Sequence, residues 1–226
     1  PEPGSDVLKM VLKLKQLYKD EVEIFAGQVA SVEQGKELEA AGADGLYVGI
    51  GGGGRCITAV RSGSAVDWPG LVWKMRGEVK IPVIVEGGAS DNVGTTLLLG
   101  ASAVGVSRAA AGGTIESPGG LLYLVNKDGE WFKPYGGEAS ARTKWLDGKM
   151  LALGIPAFVE GETTKAIKSF VPHVKPTIAA HMYLLLEDVI LSQVFRGVRS
   201  IKELQKLNPS PLRRITEGGV FQQKTH

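Results

Sequence analysis

The chain has 226 residues, 43% hydrophobic and 22% charged, a balance that suits a folded globular domain and excludes disorder. Its 26 basic and 24 acidic residues leave a net charge of +2 and are scattered, so neither nucleic acid nor an anionic membrane is an expected partner. The longest apolar stretch is broken by Glu187 and Asp188, and a single Cys allows no internal disulfide. With an N-terminal Pro-Glu-Pro-Gly-Ser unlike a signal peptide, these features lead us to expect a cytoplasmic protein.

In chain order, Asp6 to Lys19 carries Val7, Leu8, Val11, Leu12, Leu14 and Leu17 at helical spacing. A strand is expected over 22–27. Ser31, with Gln34 three residues on, reads as the N-cap of a helix that stops at Ala41-Gly42. A second strand at 45–50 runs into Gly51-Gly52-Gly53-Gly54. A helix from Trp68 to Arg76 leads to a third strand at 82–86, which ends in Glu86-Gly87-Gly88. Ser90-Asp91 is expected to cap a helix through Leu99, before a fourth strand at 103–107.

Four βα units in succession predict a parallel sheet with crossover helices. Ala41 to Val48 echoes Leu99 to Val106 as helix end, glycine turn and strand, and such repetition favours a barrel over an open sheet. The regularity then breaks. Residues 121–133, around Asn126-Lys127-Asp128-Gly129, read as a β-hairpin. Residues 136–161 keep no steady period, as expected of a functional flap. A C-terminal segment over 170–226 holds a long helix from Thr177 to Val198 and a second short one.

Cys56 follows the four-glycine run at a strand's end, where barrels carry their chemistry. Glycines allow close approach of backbone to ligand, and a thiol held there, with Arg55 and Arg61 nearby, is a candidate nucleophile. The alternative is a small apolar residue packed in a loop. Glu86 is a candidate acceptor for ribose hydroxyls, and Arg108, after Ser107, a candidate phosphate partner. His173 and His181 lack metal-ligand spacing, while Trp68, Trp73 and Trp131 are expected to pack.

The run Gly51 to Thr58 resembles the IMP dehydrogenase / GMP reductase family. The resemblance continues in order through Phe25-Ala26-Gly27-Gln28-Val29, Pro82 to Gly88, Glu116-Ser117-Pro118-Gly119, Tyr135 to Ser140, Phe170-Val171-Pro172 and Glu217-Gly218-Gly219. It implies that 1–226 is a single catalytic-domain portion, the C-terminal half of a (β/α)₈ TIM barrel with strands five to eight, the hairpin, the active-site flap and a C-terminal helical segment. The N-terminal half-barrel is then expected in the same parent chain or as a partner.

By the same resemblance, Cys56 adds to C2 of IMP or a related purine mononucleotide, assisted by Thr58; hydride passes to NAD, and hydrolysis yields XMP. Gly54, Glu86, Gly88, Ser107, Arg108, Tyr135, Glu138, Ala139 and Glu160 match substrate-facing positions, and Gln28 and Gly49 the cofactor side. Carbonyls of Gly51, Gly53 and Cys56, with Glu217, Gly218 and Gly219 of a neighbouring subunit, match a K⁺ site, and the family pattern implies a homotetramer. Some positions depart from that pattern. Glu86 stands where Asp is usual, Gln28 for Asn, Gly54 for a phosphate-binding Ser and Tyr47 for a basic residue. The water-activating Arg-Tyr pair of the dehydrogenase flap falls on Asp147-Gly148, with Arg142 or Lys144 as possible substitutes. The distinguishing Glu of GMP reductases is replaced by Ala141.

Overall fold

A computed structural model describes residues 5–53, 56–107, 112–117, 122–129, 131–134, 137, 139–148, 154, 158, 163–165, 176–208 and 210–212. Helix α1 (Ser5–Tyr18) opens the chain, and β1 (Phe25–Ala26) follows. Val7, Leu8, Val11 and Leu14 turn one stripe of α1 onto the core, while Leu12 and Leu17 remain exposed. Helix α2 (Val32–Ala40) begins where Ser31 Oγ accepts the Gln34 N–H at 3.1 Å. Gln34 reaches back one residue further than a capping box requires, accepting from the Ala30 N–H at 2.9 Å.

Strand β2 (Gly45–Val48) leads through the glycine turn to α3 (Thr58–Ser62) and α4 (Trp68–Met75). Strand β3 (Val83–Val85) is followed by a 3₁₀ turn (Ala89–Asn92), α5 (Val93–Leu99) and β4 (Ala103–Val104). Ser90-Asp91 does not cap α5 as expected: both residues lie inside the 3₁₀ turn, and Asn92 precedes α5 without a side-chain capping bond. Instead the Thr96 hydroxyl donates back to the Ala89 carbonyl at 2.9 Å.

The four strands form a parallel sheet in the order β1-β2-β3-β4. Each is shorter than the sequence pattern suggests. Leu46, Val48, Val83 and Val85 are buried, as a sheet covered by helices demands. Asp44 ties this layer to α1: its carboxylate accepts from Lys15 Nζ and from the Ile24 N–H, each at 2.7 Å.

A second sheet has the order β5-β6-β7, from β5 (Leu124–Val125), β6 (Trp131–Pro134) and β7 (Thr163–Lys165). The first pair is antiparallel across the Asn126–Gly129 turn; β7 adds a strand that the sequence pattern did not indicate. Lys133, fully buried, sends Nζ to the Thr114 carbonyl and lies 4.9 Å from the Tyr123 ring; burial pushes its pKa below the ordinary range. Trp73 and Trp131 are about half exposed rather than packed, with Trp73 beside the Arg76 guanidinium and Trp131 edge-on to Tyr123.

After α6 (Ala141–Leu146), the long α7 (Ile178–Val194) is capped by Thr177, and its first N–H also meets the Glu116 carboxylate at 3.2 Å. His181 is buried in this helix, and Glu187 and Asp188 are exposed. Helix α8 (Ile201–Gln205) docks through Gln205, which donates to the Leu97 and Ala101 carbonyls at 2.9 and 3.0 Å. Among the described residues, no helix is long and apolar enough to cross a membrane.

Candidate active site

Parallel pairing decides which loops meet. Val48 is in register with Val85, and Val85 with Val104, so the segments that follow these residues emerge side by side at the sheet's C-terminal edge. The ladder runs slightly past the strands: Glu86 N–H donates to the Val48 carbonyl at 2.9 Å and Gly105 N–H to that of Val85 at 2.8 Å. Gly49, Glu86 and Gly105 therefore stand in a row.

The polyglycine turn packs directly on the Glu86-Gly87-Gly88 loop. A Cβ on Gly52 would lie 2.2 Å from the Gly87 carbonyl oxygen, and one on Gly88 2.4 Å from that of Gly52. Both distances are below any real van der Waals contact. Two backbones approach here at a separation that only glycine permits.

Cys56 is held at the far side of this turn. Its N–H donates to the Gly53 carbonyl at 2.8 Å, and a Cβ on Gly53 would stand 3.4 Å from Cys56 Cβ and 3.8 Å from Gly87 Cα. The thiol is partly buried and donates to the Thr58 hydroxyl at 3.1 Å. Thr58 opens α3, which closes on Gly63 in the left-handed conformation (φ 71°). This short helix has no marked apolar period, and a glycine five residues after Thr58 is its one local signal.

At the end of β1, the Gln28 side chain crosses to β3: its Nε2 donates to Glu86 Oε1. The backbone beside it is pinned by the Val29 N–H, which donates to the Tyr47 carbonyl at 2.8 Å. Arg61, expected near the thiol, has its guanidinium 4.3 Å from the ring centroid of Phe158, a residue of the expected flap that sequence reasoning did not single out. Nothing in the local pattern marks Phe158, since its partner lies on a distant helix.

The structure thus brings Cys56 with Thr58, Gln28 with Glu86, and Gly52 and Gly53 with Gly87 and Gly88. Ser107 ends the described part of the loop after β4 and is exposed. Ala139 precedes Ser140, whose Oγ caps α6 by accepting the Thr143 N–H. Gly54, Arg55, Arg108, Tyr135, Glu138, Glu160, Glu217, Gly218 and Gly219 lie outside the described residues.

A family model described as the IMP dehydrogenase / GMP reductase domain matches residues 4–226. The chain belongs to the IMP dehydrogenase / GMP reductase family. It is 31% identical over 225 residues to an inosine-5'-monophosphate dehydrogenase of Aquifex aeolicus, covering 97% of this chain and 44% of that protein. A similar protein of Rhodopirellula baltica bearing the same name is 32% identical over 90% of this chain and 38% of its own length. A GMP reductase of Streptococcus agalactiae is 35% identical over 72% of this chain and 50% of its own. The chain therefore spans about half the length, or less, of these curated relatives.

The sequence resemblance implies K⁺ and NAD, and the described residues bear on both. The glycine turn offers backbone carbonyls, hard oxygen donors of the kind K⁺ prefers. The Gly53 carbonyl already accepts the Cys56 N–H, which leaves one lone pair for a cation. Gln28 and Gly49, expected on the cofactor side, follow β1 and β2 on the edge that carries the cysteine turn.

Proposed function

We propose that this chain carries the nucleotide-binding and nucleophilic half of an IMP dehydrogenase-type oxidoreductase, converting IMP to XMP. The observation that supports it best is the packing of the glycine turn before Cys56 on the Gly87-Gly88 turn after Glu86, which brings the loop carrying a nucleophile against the loop carrying an acid suited to a ribose. Cys56 Sγ adds to C2 of the purine, and Thr58, in hydrogen-bond contact with that sulfur, orients it and relays a proton. NAD supplies the hydride acceptor when bound, with Gln28 and Gly49 on its side. Water then releases XMP and restores the thiol.

Glu86 accepts from the ribose, while Gly54, Gly88, Ser107, Arg108 and Tyr135 surround the phosphate. Glu138, Ala139 and Glu160 face the base, and Gly51, Gly53 and Cys56 with Glu217, Gly218 and Gly219 of a neighbour hold K⁺. Strands β1 and β4 are the edges of the described parallel sheet, and an N-terminal half-barrel pairs with them to close a (β/α)₈ barrel in a cytoplasmic homotetramer.

A second reading is a GMP reductase-type enzyme using NADPH. It is favoured by Asp147-Gly148 at the C-terminal end of α6, where a dehydrogenase would carry its water-activating pair, and disfavoured by Ala141, which stands where a reductase would carry its distinguishing Glu. A third is a purine-nucleotide-binding subunit without turnover.

Assays of the full-length protein separate the three. NADH formation from IMP and NAD, with a mass adduct on Cys56, supports the dehydrogenase. NADPH oxidation with GMP supports the reductase, and IMP binding without either reaction supports the binding subunit. Failure to bind either nucleotide rejects all of them.

A further inference from the structure

We propose that Gln28 is a positioning residue that locks the Glu86 carboxylate for ribose recognition. The inference rests on the reading of Glu86 as the ribose-facing acid. Gln28 Nε2 donates to Glu86 Oε1, across the ends of β1 and β3. The amide's own oxygen, Oε1, is buried and meets no donor among the described residues. An orphaned buried carbonyl opposes folding, and native chains keep such groups where something else is gained. Here the amide orientation serves one described partner, the carboxylate.

The second oxygen of Glu86, Oε2, accepts no hydrogen bond among the described residues. A Cβ on Gly105 would stand 3.6 Å from Oε2 and 3.0 Å from Glu86 Cβ, so a longer residue at that position would crowd the carboxylate. A glutamate has one more rotatable bond than an aspartate, and an unheld carboxylate would sample several orientations. The Gln28 hydrogen bond removes that freedom. Oε1 is occupied by a fixed donor, and Oε2 is presented to a ligand hydroxyl. Both side chains have the same extra reach relative to Asn and Asp, so they meet as a pair.

The test is calorimetric titration of the full-length protein with IMP and with 2′,3′-dideoxy-IMP, alongside thermal melting. The wild type is expected to prefer IMP. In Gln28→Met, which keeps the side chain's length and shape but removes the amide, that preference should fall about tenfold, the scale of one hydrogen bond to a charged group. Dideoxy-IMP affinity should hold, and the melting temperature should stay level or rise because the orphaned carbonyl is gone. Gln28→Asn, too short to reach Glu86, should lose the same preference. An unchanged preference in both variants overturns the positioning role while leaving nucleotide binding intact. A wild type that binds IMP and dideoxy-IMP equally overturns the ribose role of Glu86, and the inference with it. If neither nucleotide binds the wild type, the proposed function itself fails. If both variants unfold, Gln28 is a structural residue and the inference is wrong.

Discussion

The Cys56 thiol donates a hydrogen bond to the Thr58 hydroxyl at 3.1 Å, so the sulfur's orientation is set by the first residue of α3. Thr58→Val keeps the β-branched shape and removes the acceptor. We expect kcat to fall about a hundredfold, the lower end of a general acid–base contribution, with little change in the melting temperature. Cys56→Ala should abolish turnover while IMP binding survives. Steady-state kinetics with calorimetry checks both; undiminished activity in Cys56→Ala would rule out covalent catalysis.

Gly52 meets the Gly87 carbonyl at a distance that no side chain tolerates. Gly52→Ala should cost about 1–3 kcal/mol of stability, as overpacking usually does, and should weaken IMP binding because the two loops must separate. Urea unfolding and titration read the two effects. A variant with wild-type stability and affinity would mean that the loops are not held together in this way.

The Arg61 guanidinium covers the Phe158 ring at 4.3 Å and connects α3 to the segment expected to act as a flap. An exposed cation–π pair contributes about 0.5–1 kcal/mol, so Arg61→Ala should raise the opening equilibrium of that segment by about two- to fivefold. Limited proteolysis within 136–161 should speed up by that factor. No change in cleavage rate would show that the contact does not restrain the segment.

Asp44 has its pKa held below its ordinary value of 3.8, first by the Lys15 hydrogen bond and then by the Ile24 N–H. A carboxyl with a depressed folded pKa adds stability above its unfolded value and loses it as pH falls through the folded one. Asp44→Asn should therefore be less stable than wild type at pH 7. The gap should narrow as pH drops below 3.8, where the wild type loses the same interaction. Denaturant midpoints across pH measure it, and a gap independent of pH would contradict the ion pair.

Much of the fold was legible because local patterns carry it. The Ser31 cap, the apolar runs at β2 and β3, and the Asn126–Gly129 turn follow from residue types a few positions apart. Apolar content alone could not tell which leucines of α1 are covered: Leu8 and Leu14 pack on the core, and Leu12 and Leu17 do not. Likewise β7 joined a sheet whose other strands lie well upstream, a pairing that local periodicity cannot announce.

The candidate site divides in the same manner. A glycine run followed by a cysteine at a strand's end, and an acidic residue before two glycines at the next, could be read directly from the chain. That Gln28 grips Glu86, that Gly52 abuts Gly87, and that Phe158 covers Arg61 depended on the register of parallel strands and the path of long connections. Sequence determines which groups are available and which local turns they favour, because those depend on neighbours along the backbone. Tertiary structure alone selects the partners, because a hydrogen bond or ring contact depends on separation in space.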